Sequence, residues 1–78
     1  MKVHLWGELG FYGPGKRSKF DFPIDHAMPV VEALRLIGVP AADVAVLGVN
    51  GVAERVGDPA VIVANGDRID CFPPTSGG

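Results

Sequence analysis

Asn65-Gly66-Asp67-Arg68-Ile69-Asp70-Cys71-Phe72-Pro73-Pro74 is the stretch on which the fold turns. Asn65-Gly66 is a turn dipeptide. From Arg68 the side chains alternate: Ile69 and Cys71 on one face, Arg68, Asp70 and Phe72 on the other. That period of two predicts a half-buried strand. Pro73-Pro74 ends it, because proline has no N–H to give a neighbouring strand. Four more residues follow, Thr75-Ser76-Gly77-Gly78. Two terminal glycines leave the main-chain carboxylate without a neighbouring side chain, in a backbone that tolerates close approach.

Working outward, Val3, Leu5 and Leu9 alternate with Lys2, His4 and Glu8 and predict a first strand. The turn-rich run Gly10-Phe11-Tyr12-Gly13-Pro14-Gly15 predicts a loop. Phe20, Phe22 and Ile24 alternate with Lys19, Asp21 and Pro23 and predict a second strand, hairpinned to the first. A helix of about ten residues is expected after Asp25 or Ala27, with Pro29 in its first turn. Val30 or Val31, Leu34 and Ile37 form its apolar stripe, and Gly38 and Pro40 end it. Val44 to Val49 reads as a strand closed by the tight-turn dipeptide Asn50-Gly51, with Val52-Ala53-Glu54 as a short return. Val61-Ile62-Val63 is a brief apolar anchor. The order strand, strand, helix, strand, short strand, strand predicts an α+β fold of the β-grasp (ubiquitin-like) type. Its mixed sheet packs on one main helix, and the final strand is central, with residues 72–78 projecting as a tail. All 78 residues are read as one domain.

Composition narrows the function. Seven basic against nine acidic residues give a net charge of −2, which argues against nucleic acid as a partner. Lys16-Arg17-Ser18-Lys19 reads as a solvated loop. No apolar run approaches the roughly 20 residues needed to span a bilayer. The start MKVHLWGELG does not read as a signal peptide. One cysteine allows no internal disulfide, which fits a reducing cytoplasm. Cys71 is in phase with Ile69 and is expected in the core. His4 and His26 lie far apart in sequence with no carboxylate motif near them, so neither a metal site nor a general base is expected. Phe72 and Trp6 fall on the non-core parity of their strands. They are expected either to cover one another or to form an exposed aromatic anchor on the sheet's open face.

Leu47-Gly48-Val49-Asn50-Gly51, Asn65-Gly66-Asp67-Arg68-Ile69 and Phe72-Pro73-Pro74-Thr75-Ser76-Gly77-Gly78, in that order, resemble the sulfur-carrier proteins of the MoaD/ThiS type. The likeness is close in the C-terminal half. In the N-terminal half it extends only to the order of elements, and the glycine-rich first loop departs from the pattern. The resemblance implies a protein cosubstrate or non-catalytic synthase subunit rather than an enzyme, with no bound cofactor. A ubiquitin-activating-type adenylyltransferase would use ATP to adenylate the Gly78 carboxylate. A sulfur donor would convert it to a thiocarboxylate. An acceptor synthase, of the molybdopterin synthase large-subunit or thiazole synthase kind, would take the sulfur. Gly78 is then the reacting residue, and Gly77 keeps its approach clear. Phe72, Pro73, Pro74, Thr75, Ser76 and Trp6 would meet the partners. Molybdopterin or tungstopterin synthesis is the expected pathway. The alternatives are thiazole synthesis, or a ubiquitin-like modifier that forms isopeptide bonds.

Overall fold

The computed structural model describes residues 1–74. Eight strand and helix segments follow one another: β1 (Lys2–Leu5), β2 (Lys19–Asp21), β3 (Met28–Pro29), α1 (Val30–Ile37), β4 (Val46–Val49), β5 (Val52–Glu54), β6 (Ile62–Val63) and β7 (Arg68–Phe72). Five strands form a mixed sheet in the order β2-β1-β7-β4-β5, so β7 is its middle strand. β7 runs parallel to β1 and antiparallel to β4. β3 and β6 form a separate antiparallel pair.

One face of the sheet carries the core. Val3, Leu5, Leu47, Ile69 and Cys71 are buried there, together with Val30, Ala33 and Leu34 of α1. The alternation expected of β1 and β7 is therefore observed, with Cys71 inside. On α1, Val30 faces in and Val31 faces out. The helix ends on Gly38, whose N–H bonds to the Leu34 carbonyl. Asn50 and Gly51 both have positive φ, 51° and 83°, which a two-residue hairpin turn of the right twist requires. They join β4 to β5, as the dipeptide predicted.

Four boundaries differ from the sequence expectation. The helix begins at Val30, not near Asp25. Pro29 lies before it in extended backbone (φ −57°, ψ 142°) and pairs with Ile62. A residue before proline is steered away from the helical region, so Met28 is extended too and joins the small sheet. The first helical N–H, that of Val30, is then satisfied by the Val61 carbonyl at 2.8 Å rather than by a side chain. The expected anchor at Val61–Val63 thus contains a strand, and it also caps the helix. Leu9 lies not in the first strand but in a 3₁₀ segment, Gly7–Tyr12, which still buries it. A second 3₁₀ turn, Pro14–Lys16, completes the region read as an irregular loop. β2 is shorter than its pattern, ending at Asp21, although Ile24 remains buried and Phe22 packs on the core. β4 begins at Val46 rather than Val44, because Ala41–Asp43 forms a further 3₁₀ turn that closes at Val44.

No helix among the described residues is long and apolar enough to cross a membrane.

Candidate functional site

The site lies where β7 leaves the sheet. The Cys71 carbonyl accepts from the Trp6 N–H at 2.9 Å, and the Phe72 carbonyl accepts from the Ala45 N–H at 2.8 Å. The strand is held from both sides up to its last residue. Pro73 and Pro74 have no N–H to extend either ladder, so the pairing stops and the chain departs. Gly7 flanks the exit with φ +56°, and a Cβ on it would stand 3.1 Å from Cγ of Pro73. A side chain there would press on the root of the tail.

Trp6 and Phe72 meet on the open face of the sheet. Their rings are stacked, with centroids 5.3 Å apart and planes 15° apart. His4 stacks on the other side of Trp6 at 3.8 Å. The three rings form a row leading towards the tail. Trp6 remains 40% exposed and Phe72 is half-buried. Both expectations for this pair are therefore met in part: the rings cover one another and still present aromatic surface. Val46, opposite Phe72 in register, is 51% exposed and extends the apolar patch.

Asp70 organises this row, and the sequence reading missed it. It is buried to 7% exposure. Its carboxylate accepts from Trp6 Nε1 at 3.1 Å and from Arg68 Nε at 3.1 Å. His4 Nδ1 lies 3.6 Å away, a carboxylate neighbour that no motif near His4 in sequence announces. The β1–β7 pairing creates that contact across 66 residues, since His4 and Asp70 are opposite each other in register. Burial alone pushes the Asp70 carboxyl up, but the hydrogen bonds from Trp6 and Arg68 and the Arg68 charge outweigh it and hold it below its ordinary value. His4 moves down: burial is the main cause, the charge of Lys19 adds to it, and Asp70 opposes it. The signal for this cluster was parity. His4, Trp6, Arg68, Asp70 and Phe72 all occupy non-core positions on strands that become neighbours.

A second cleft opens on the other side of the tail root, lined by Glu8, Leu9, Phe11, Tyr12, Asp43 and Pro74. Tyr12 donates its hydroxyl to Asp43 Oδ2 at 2.7 Å and so ties two 3₁₀ segments together beside Pro74. That hydrogen bond is the main reason why the Tyr12 phenol is raised above its ordinary value.

Cys71 is no alternative reactive group. It is fully buried, and burial pushes its thiol up to about 12, so little thiolate exists at neutral pH. His26 contacts its neighbour Asp25, and both side chains are exposed. Among the described residues no group of three or more His, Cys, Asp or Glu could hold a metal ion. Of the residues expected to meet partners or to react, Trp6, Phe72, Pro73 and Pro74 come together at the exit. Thr75, Ser76, Gly77 and Gly78 lie outside the described residues. No protein-family model and no curated protein matches the chain.

Proposed function

We propose that this chain is a β-grasp sulfur carrier and that its working group is the Gly78 carboxylate. The observation that carries the reading is the way the chain leaves the fold. β7 is the middle strand, its last two carbonyls are held by Trp6 and Ala45, and Pro73 and Pro74 end its pairing beside exposed aromatic surface. A rigid body with a terminal arm is what delivery of a main-chain carboxylate to another protein's active site requires.

The chemistry follows from the weakness of a carboxylate as an electrophile. A ubiquitin-activating-type enzyme would join the Gly78 carboxylate to AMP from ATP, releasing pyrophosphate. The charge opposing attack is then gone and a leaving group is in place. Hydrosulfide delivered by a sulfur donor attacks the acyl carbon and displaces AMP, and loss of the proton leaves a thiocarboxylate. An acceptor synthase takes that sulfur, and hydrolysis returns the carboxylate. The carrier contributes docking and reach, and Gly77 keeps a narrow channel passable. Pterin dithiolene synthesis is the acceptor pathway we favour, on the likeness of Phe72-Pro73-Pro74 and the terminal Gly77-Gly78 to that branch.

Intact mass spectrometry of protein purified from its own host tests the reading. The expected result is a fraction heavier by one oxygen-to-sulfur replacement, lost on treatment with alkylating agent and assigned to Gly78 by fragmentation. Protein found only as isopeptide adducts on lysines of other chains would overturn it in favour of a modifier.

A further inference from the structure

The open face of the sheet is not uniform. Next to the exit it is apolar, with Trp6, Phe72 and Val46. At the opposite end of β1 and β7, and on β2 beside them, it is basic. Lys2, Lys19 and Arg68 surround a shallow cleft of about 460 Å³, with His4 and Asp21 on its walls. Three of the chain's seven cations therefore stand on one face of a molecule whose net charge is −2. Lys2 stands between Arg68 of β7 and Asp21 of β2, and His4 between Asp70 of β7 and Lys19 of β2. The Lys2–Arg68 pair opposes folding. Arg68 is offset by Asp70. Among the described residues neither Lys2 nor Lys19 is ion-paired, even though Asp21 is the cross-strand neighbour of Lys2.

We infer that this face docks on a protein surface with an apolar pocket for the Trp6–Phe72 stack and carboxylates placed opposite Lys2, Lys19 and Arg68. Charge complementarity selects the partner's chemistry. An acidic rim relieves the Lys2–Arg68 repulsion and gives Lys19 a partner, while a basic or neutral one does neither. The two halves divide the work: the aromatic half supplies desolvated contact, and the basic half speeds encounter and sets orientation. Orientation matters because the tail starts at one edge of the face, so a rotated complex would point it away from the active site. The identity of the partner as an adenylating enzyme rests on the function proposed above; the chemistry of the surface does not.

The test is a titration of isotope-labelled chain with the host's ubiquitin-activating-type adenylating enzyme, without ATP, followed by amide NMR. We expect perturbations at Lys2–Trp6, Lys19–Asp21 and Arg68–Phe72. Lys2→Glu with Lys19→Glu should weaken binding roughly tenfold or more at low salt. That difference should shrink in 1 M salt, where the screening length falls to about 3 Å. Carboxylates arriving beside Lys19 should also raise the His4 pKa on binding, which a merely structural lysine would not bring about. Charges that reach His4 within the chain come from Lys19 of β2 and from Arg68 and Asp70 of β7, so the same shift is read in Lys2→Gln with Lys19→Gln as a control for folding. Unchanged affinity in the charge-reversed chain, perturbations centred on α1, or no binding would each overturn the inference. Intact mass after adding ATP and a sulfur donor reads the tail separately: docking without thiocarboxylate sinks the carrier reading alone, and thiocarboxylate with charge-insensitive docking sinks this one alone.

Discussion

The two ends of β7 are built on opposite principles. At its start the chain is fastened by polar side chains. Asn50 donates to Asp67 at 3.0 Å and accepts from the Arg68 N–H at 2.9 Å, and Asp67 accepts from the Ala64 N–H at 2.8 Å. Asn65 accepts from the Ile24 N–H at 2.9 Å and from the terminal amine of Met1 at 3.3 Å, and donates back to the Ile24 carbonyl. At its finish there are backbone bonds, two prolines and a stack of rings open to solvent. The first end spends its polar groups on fastening turns and strands. The second has one buried carboxylate, Asp70, beneath rings that stack on one another and stay partly open to solvent. The residues that carry the resemblance therefore divide into a structural set, Asn50, Asn65 and Asp67, and a set that the proposed function assigns to delivery, from Phe72 onward.

Changes at the finish should alter transfer without altering stability. The largest effect is expected from Gly77→Ala. A Cβ in a narrow channel displaces the reacting carbon, and misplacement of about an ångström can cost roughly 10²-fold in rate. Sulfur transfer by the variant should fall by about that factor, measured by thiocarboxylate formation, while its thermal midpoint stays put. Unchanged transfer would count heavily against the proposed function. Phe72→Ala is next. An aromatic anchor at an interface contributes about 2 kcal/mol, so partner affinity should drop by that amount with only a small change in unfolding midpoint. Should the variant lose stability as much as affinity, the ring belongs to the fold, and the contrast between the two ends disappears.

Much of this was legible in sequence, for a physical reason. Alternation in β1 and β7 reports burial directly, so Val3, Leu5, Ile69 and Cys71 could be placed inside. Asn50-Gly51 carries its own backbone requirement, and the turn is where it was expected. What periodicity does not report is which strands become neighbours. His4, Trp6 and Asp70 were each visible as off-core residues, yet their convergence depends on β1 lying parallel to β7. The helix start was misjudged because Pro29 suits two roles, first-turn residue and extended residue before a helix. Pairing with Ile62, remote in sequence, decides between them. The 3₁₀ segment at Gly7–Tyr12 divides between two readings: Glu8 and Leu9 continue the alternation of the first strand, and from Gly10 the composition is that of a loop, which short 3₁₀ turns share. Function had no such handle: the tail is legible only as a pattern of residues, and its role remains the proposal that the mass measurement tests.

Changes at the start should do the reverse. Asn65→Ala removes the partner of both the N–H and the carbonyl of Ile24. Leaving such groups unsatisfied costs about 1–2 kcal/mol where the site is partly wet. The unfolding midpoint in denaturant should fall accordingly, with the slope unchanged. Thiocarboxylate formation should continue at the wild-type rate below the new transition. A loss of transfer in a chain that is still folded would mean that the two ends are coupled through β7.

Acid offers the gentlest way to separate the ends, because each holds one carboxylate whose pKa is lowered by folding. At the start it is Asp67, held down first by the hydrogen bond from Asn50 and then by the Ala64 N–H. At the finish it is Asp70, where burial pushes up and the Trp6 and Arg68 hydrogen bonds prevail. In both, the folded pKa lies below the unfolded value of about 3.9. Folding then gains stability that is present in full above that value and lost as pH falls through the folded pKa. Stability should therefore hold from neutral pH to about 4 and decline below it. In Asp67→Asn the thermal midpoint should start lower at pH 7 and decline less steeply below pH 4, since one of the two protons is no longer taken up. Trp6 fluorescence reads the other end separately. Protonation of Asp70 weakens the acceptor of the indole N–H, so emission should change along an acid titration whose midpoint is the same in wild type and in Asp67→Asn. Parallel melting curves for the two proteins would show that Asp67 does not fasten the start of β7. A shift of the fluorescence midpoint in the variant would show that the two ends respond to acid as one.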